Sequence, residues 1–156
     1  MKNIAIASDH GGFILKDKLK TYLSKKGFKI RDFGVFCQEH CDYPQFAYGL
    51  ARSISLGKYK RGILICKSGI GNSIVANKFP KVRAALCYNL KAAELSRRHN
   101  DSNILVLGAL FVKEKSAKKI LNIWLNTEFE GGRHIKRLNQ IRAIERKIED
   151  GIFKKS

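Results

Sequence analysis

Acidic residues are scarce in this chain: 13 Asp plus Glu stand against 31 Lys plus Arg in 156 residues, a formal charge of +18. Prolines number two, and no repeat, linker or low-complexity stretch breaks the sequence, which reads as one domain over residues 1–150 with a frayed tail at 151–156. No apolar run approaches the roughly 18 residues of a membrane span. Met1-Lys2-Asn3-Ile4 leads straight into a strand pattern instead of a signal sequence, so the expected compartment is the cytoplasm, away from membranes. Without a secretory context, Cys37, Cys41, Cys66 and Cys87 read as reduced thiols and not as a disulfide framework. Cys37, His40 and Cys41 hint at zinc, but no second ligand pair at finger-like spacing follows, and no metal is assigned.

What is present describes a globular protein. A 44% hydrophobic content excludes disorder and supplies a real core at this length. The positive charge draws anions, nucleic acid among them, but it is dispersed: Lys16, Lys18, Lys20, Lys25 and Lys26 decorate one early helix, and Lys113, Lys115, Lys118 and Lys119 a later one. Neither an aromatic-interleaved RNA motif nor a recognition-helix signature accompanies them. This reads as a solvated basic surface that steers small anions, and nucleic acid is not the expected partner.

Short β-branched runs at residues 3–8, 28–33, 62–66, 82–87 and 103–107 alternate with amphipathic segments. Each run is apolar enough to be buried on both faces. Leu15, Leu19, Tyr22 and Leu23 form one helical stripe, and Ala117, Ile120, Leu121, Trp124 and Leu125 another. Gly27 and Gly57 suit helix ends, and Asn89 suits a helix start. The order βαβαβαβαβαα predicts an α/β fold: a Rossmann-like three-layer sandwich around a five-stranded parallel sheet, with an additional C-terminal helix.

In such a sheet ligands gather at the carboxyl ends of the strands. There the first strand delivers Ser8-Asp9-His10-Gly11-Gly12, and the third delivers Cys66-Lys67-Ser68-Gly69-Ile70-Gly71-Asn72, so Asp9, His10 and Cys66 share one edge. The two glycines allow successive N–H groups to converge beside a helix start, a pocket for an oxyanion or phosphate next to a thiol. Taken alone, the same residues fit a tight turn with a buried cysteine. Nucleotide motifs do not account for them: no Lys-Ser/Thr follows the second glycine, and Ile74 stands where a dinucleotide fingerprint needs a third.

Together with Asp42-Tyr43-Pro44, Ala76-Asn77-Lys78, Ser96-Arg97-Arg98-His99-Asn100-Asp101 and Glu130-Gly131-Gly132-Arg133-His134, these motifs resemble the ribose-5-phosphate isomerase B family over nearly the whole chain. The resemblance implies a cofactor-free aldose–ketose isomerase acting on a sugar phosphate. It also implies a homodimer, or a dimer of dimers, with shared active sites. Ribose and ribulose 5-phosphates are the implied pair, with six-carbon allose or galactose 6-phosphate as the alternative.

By that resemblance Cys66 is the base, its thiolate favoured by the neighbouring N–H groups and helix terminus. Ser68 and the backbone of Gly69, Ile70, Gly71 and Asn72 hold the enediolate oxygens. Family members that place a glutamate after the second glycine use it as base; Asn72 cannot serve so. His99 matches the ring-opening acid/base, with His134 a second candidate. His10, Arg133 and Arg137 match phosphate ligands, the two arginines four apart on one helical face. Asp9, Tyr43 and Asn100 match sugar contacts. Two positions depart from the family: Leu110 replaces a phosphate-binding arginine, and Lys67, a possible replacement cation, stands where a glycine is common.

Overall fold

The computed structural model describes residues 2–151. In chain order its elements are β1 (Lys2–Ser8), a single 3-10 turn (His10–Gly12), α1 (Phe13–Lys25), β2 (Phe28–Asp32), α2 (Tyr43–Ser55), β3 (Gly62–Cys66), α3 (Ile70–Ala76), β4 (Ala84–Leu86), α4 (Leu90–Arg98), β5 (Ile104–Gly108), α5 (Glu114–Asn126) and α6 (Arg133–Glu149). All pairings are parallel, in the order β2-β1-β3-β5-β4, which is the expected Rossmann-like α/β sandwich. Of the expected tail, residues 152–156 lie outside the described residues.

Strand parity builds the two cores, because successive side chains point to opposite faces. Ile4, Ile6, Ile63, Ile65, Leu105 and Leu107 meet Leu15, Leu19 and Leu23 of α1 and Ala117, Ile120, Leu121 and Trp124 of α5. Ala5, Ala7, Leu64, Ile104 and Val106 meet Ala47, Leu50, Ala51 and Ile54 of α2 on the other side. Asn89 caps α4, its side chain accepting from the Ala92 N–H at 2.8 Å. Among the described residues no helix is long and apolar enough to cross a membrane.

Two sequence expectations need correction. β2 and β4 are not buried on both faces: they are the sheet's edges, β2 alternates half-buried with exposed residues, and only Ala84–Leu86 of the expected fourth strand joins the ladder. Lys16 does not belong to the solvated surface. It sits inside the apolar stripe of α1, fully buried, and its ammonium is satisfied by Asp32 at 2.9 Å and by the Val35 carbonyl. That contact holds the strap after β2, whose Gly34 carbonyl accepts from the Ser8 N–H and whose Val35 N–H donates to the Ser8 carbonyl, each at 2.7 Å. A buried lysine thus steadies the strand end that presents Asp9.

The last helix stands apart. Of α6 only His134 and Leu138 are buried, while Ile135, Ile141, Ile144 and Ile148 are 41–57% exposed. It lies along the amino-terminal edge of the sheet, where Glu145 accepts from the Lys81 N–H at 3.2 Å and Glu130, just before the helix, donates its N–H to the Arg98 carbonyl at 3.0 Å.

Candidate active site

The carboxyl ends of β1, β3 and β5 converge on Cys66. Its strand partner is Gly108, and the Ala109 and Leu110 N–H groups donate to the Cys66 and Lys67 carbonyls at 2.9 and 3.0 Å. The Asp9 N–H donates to the Ile65 carbonyl at 3.3 Å, and Asp9 Oδ1 accepts from the Gly12 N–H at 3.0 Å, fixing the carboxylate near the thiol. Packing here leaves no room for side chains at several glycines. A Cβ on Gly12 would lie 2.6 Å from the Ile65 carbonyl oxygen, and one on Gly108 would lie 2.3 Å from that of Ser68.

Beyond β3 the chain turns at Gly69, whose φ of +83° is one that L side chains resist. This aims the Gly69 N–H at Cys66 Sγ, 3.1 Å away. Ser68 Oγ accepts from the Ile70 N–H at 3.2 Å, and the Ser68 carbonyl accepts from Tyr88 Oη at 2.8 Å. Tyr43, first residue of α2, lays its ring over Gly71, where a Cβ would fall 2.4 Å from Cζ. Asn72 is buried with Oδ1 unpartnered, as is Ser8 Oγ. His10 is held through Nδ1, 3.2 Å from the Cys41 carbonyl oxygen and 3.3 Å from its nitrogen, and its ring lies 4.7 Å from that of His40. Lys67 is exposed on the same edge, its Cβ 3.2 Å from where Gly11 would carry one.

The expected easy ionisation of Cys66 is corrected. Burial pushes the thiol up, and the Asp9 charge adds to this; the N–H groups of Gly69, Asn72 and Ser68 act in the opposite direction without prevailing. The following α3 spans only seven residues, so its terminal charge is modest. Cys87 is a structural thiol, pushed up to about 11 by burial.

His99 does not share this edge. It caps the end of α4, five residues before β5 begins, whereas Cys66 pairs with the last residue of β5. The strand length between them is about 13 Å. Instead His99 stacks on His134, ring centroids 4.3 Å apart and 11° from parallel, with His99 Nε2 4.0 Å from Glu130 Oε2. Burial lowers the His134 pKa, and the charges of His99 and Arg133 lower it further. Asn100 is exposed beside them, and Arg133 and Arg137 stand exposed one turn apart on α6.

The predicted residues therefore divide into two half-sites on opposite edges of one sheet. Asp9, His10, Tyr43 and residues 66–72 form the first, with Leu110 beside them; His99, Asn100, Arg133 and Arg137 form the second. Sequence reading gave no role to Tyr88, Gly108 or Glu130. Gly108 was visible as a glycine closing a strand and Glu130 as the first residue of a motif shared with the family, but Tyr88 lies in a loop where no periodicity points to it.

Comparison with known proteins gives the arrangement its family. Residues 4–141 match the model of the ribose/galactose isomerase family. Ribose-5-phosphate isomerase B of Escherichia coli is 44% identical over 147 residues, covering 94% of this chain and 99% of the relative. The structure of ribose-5-phosphate isomerase B from Clostridium thermocellum superposes with a TM-score of 0.92 at 46% identity, covering 94% of this chain and 99% of that one. That of the Mycoplasma genitalium enzyme with bound ribulose-5-phosphate does so at 0.89 and 39%, covering 92% and 96%. With a matching fold and near full-length similarity, the chain belongs to the ribose/galactose isomerase family.

Proposed function

We propose that this protein interconverts D-ribose 5-phosphate and D-ribulose 5-phosphate through an enediolate. The observation that carries this reading is the buried Cys66 thiol 3.1 Å from the Gly69 N–H, beside Asp9 and beneath the first turn of α3, in a chain of this family. Isomerisation needs a base for the weakly acidic C2 proton and an electrophilic pocket for the oxygens that gain charge. Cys66 thiolate takes that proton from the open-chain aldose. Ser68 and the amides of the Gly69–Asn72 turn hold the enediolate oxygens while one proton passes from O2 to O1, and the thiol returns the C2 proton to C1. No step moves an electron to or from another molecule, so the reaction calls on no redox cofactor.

In this scheme Asp9, Tyr43 and Asn100 hold sugar hydroxyls, His99 opens the ring with His134 stacked behind it, and His10, Arg133 and Arg137 bind phosphate. Lys67, one hydrogen bond from Leu110 along the backbone, supplies positive charge beside the leucine. The two half-sites meet only if a second copy brings its His99 edge to the Cys66 edge of the first. The exposed isoleucines of α6 support such a two-fold homodimer with shared sites. We assign residues 1–150 to this one isomerase domain and place its work in the pentose phosphate pathway, in the cytoplasm.

The test is turnover of ribose, allose and galactose phosphates side by side by the purified protein, with Cys66→Ser as control. Ribose 5-phosphate should be isomerised, and Cys66→Ser should bind it without turnover. Preference for a six-carbon phosphate would reassign the substrate; proton exchange at C2 in Cys66→Ser would remove Cys66 as the base.

A further inference from the structure

Beyond the isomerase chemistry, one cluster has the composition of a metal site. His99, Glu130 and His134 place one potential ligand atom each within 4.8 Å of one another. His134 is 2% exposed, yet its Nε2 is buried with no hydrogen-bond partner, an expensive state for an imidazole nitrogen. Arg98 takes its two bonds to Glu130 through Oε2, at 3.1 Å and 2.7 Å, which leaves Oε1 uncommitted.

We propose that His99, Glu130 and His134 bind a zinc-class divalent cation that inhibits the enzyme. Two imidazole nitrogens and one carboxylate oxygen are a donor set suited to Zn2+, and three protein ligands leave a fourth position open to water or a substrate oxygen. Bonds of about 2.0–2.2 Å put tetrahedral ligand atoms roughly 3.3–3.6 Å apart, so groups within 4.8 Å of one another need to close by up to about 1.2–1.5 Å. The rings lie 11° from parallel, so their in-plane lone pairs run side by side, and one ring turns out of the stack to aim both nitrogens at one cation. Arg98 and Arg133 repel a cation, so the site holds zinc more weakly than a closed four-ligand structural site and fills reversibly. The coordination rests on geometry alone. The inhibition rests on the ring-opening role proposed above, since a cation bound to His99 removes the lone pair that would move the proton.

The experiment uses the full chain with Cys37→Ser and Cys41→Ser, to remove competing thiols. Zn2+ affinity is measured by competition with a chromophoric chelator, and coordination by the visible absorption of Co2+. The proposal expects one cation per chain, four-coordinate cobalt, and affinity at least about tenfold weaker in His99→Asn and in Glu130→Gln, the latter a 42% exposed side chain whose loss does not threaten folding. Affinity unchanged in both variants, or abolished by Cys66→Ser, overturns it. Turnover of ribose 5-phosphate by the same background should fall as zinc fills the site and recover with chelator. Tight, variant-sensitive binding without inhibition would uphold the site and refute the assignment of His99 to ring opening.

Discussion

Gly69→Ala separates the turn's backbone demand from its packing demand. At φ +83° any L side chain is strained, by about 1–2 kcal/mol. A Cβ there would also meet Leu86 Cδ1 at 2.4 Å and the β5 backbone at 3.2 Å. Leu86 can rotate, but the ladder behind it cannot, and overpacking of this kind costs about 1–3 kcal/mol. The expected loss is therefore about 2–5 kcal/mol, the sum of the two effects. Gly57→Ala is the reference: its φ is +71° with nothing within 4 Å, so it should lose only the strain, about 1–2 kcal/mol. Urea unfolding at neutral pH measures both as midpoint shifts at constant m. The same change displaces the N–H that stabilises the Cys66 thiolate. In a Cys37→Ser, Cys41→Ser background, iodoacetamide alkylation of Cys66 should inflect above the free-cysteine value of about 8.5, and higher still in Gly69→Ala. Equal stability losses at Gly57 and Gly69, or an alkylation profile that does not move upward, would refute the reasoning.

Replacing Lys16 by Met should cost about 1–3 kcal/mol at neutral pH, because the Val35 carbonyl loses its donor. The cost stays below that of an orphaned buried ion since Lys20 remains 2.7 Å from Asp32. Burial alone would raise Asp32, but hydrogen bonds from Lys20, the Gly34 N–H and Lys16 hold it below the ordinary carboxylate range. A depressed carboxylate stabilises the fold above its unfolded pKa of about 3.9 and loses that contribution as pH falls through the folded value, so the gap between wild type and Lys16→Met should narrow below about pH 4. A gap independent of pH would assign the loss to packing alone. Leu110→Arg should lower the KM for ribose 5-phosphate about ten- to a hundredfold, the worth of one charge-assisted contact, and Lys67→Gly should raise it. Unchanged affinity in both would place the phosphate away from this edge.

Much of the fold was legible because strand parity and helix periodicity act locally. Parity puts Ile4 with Ile6, and Ile63 with Ile65, on one face of their own strands, and the apolar runs read as buried before any tertiary contact was known. Lys16 could not, since its burial depends on Asp32 and Val35, which reach it only after β2 has paired with β1. The thiol edge was readable too: a cysteine, two glycines and Asp9-His10 at strand ends need only the rule that parallel strands share an end. That His99 lies on the other edge followed from the sequence as well, because a helix begun at Asn89 after the fourth strand runs antiparallel to the strands, and ten residues at ~1.5 Å carry His99 roughly 15 Å from the strand ends that hold Cys66. Its stacking on His134 did not, because that contact depends on where α6 folds back, which the sequence between Thr127 and Gly132 does not reveal. The direction of the Cys66 pKa was misjudged because the N–H donors are visible in the motif while the burial opposing them is a property of the whole sheet.

The shared site is tested most directly by mixing two dead variants, Cys66→Ala and His99→Asn, under conditions that exchange subunits. Random pairing of equal amounts makes about half the dimers mixed, each with one site carrying both native groups and one carrying neither. Activity should recover toward roughly a quarter of wild type. No recovery, with exchange demonstrated independently, would contradict a site built from the Cys66 edge of one chain and the His99 edge of the other.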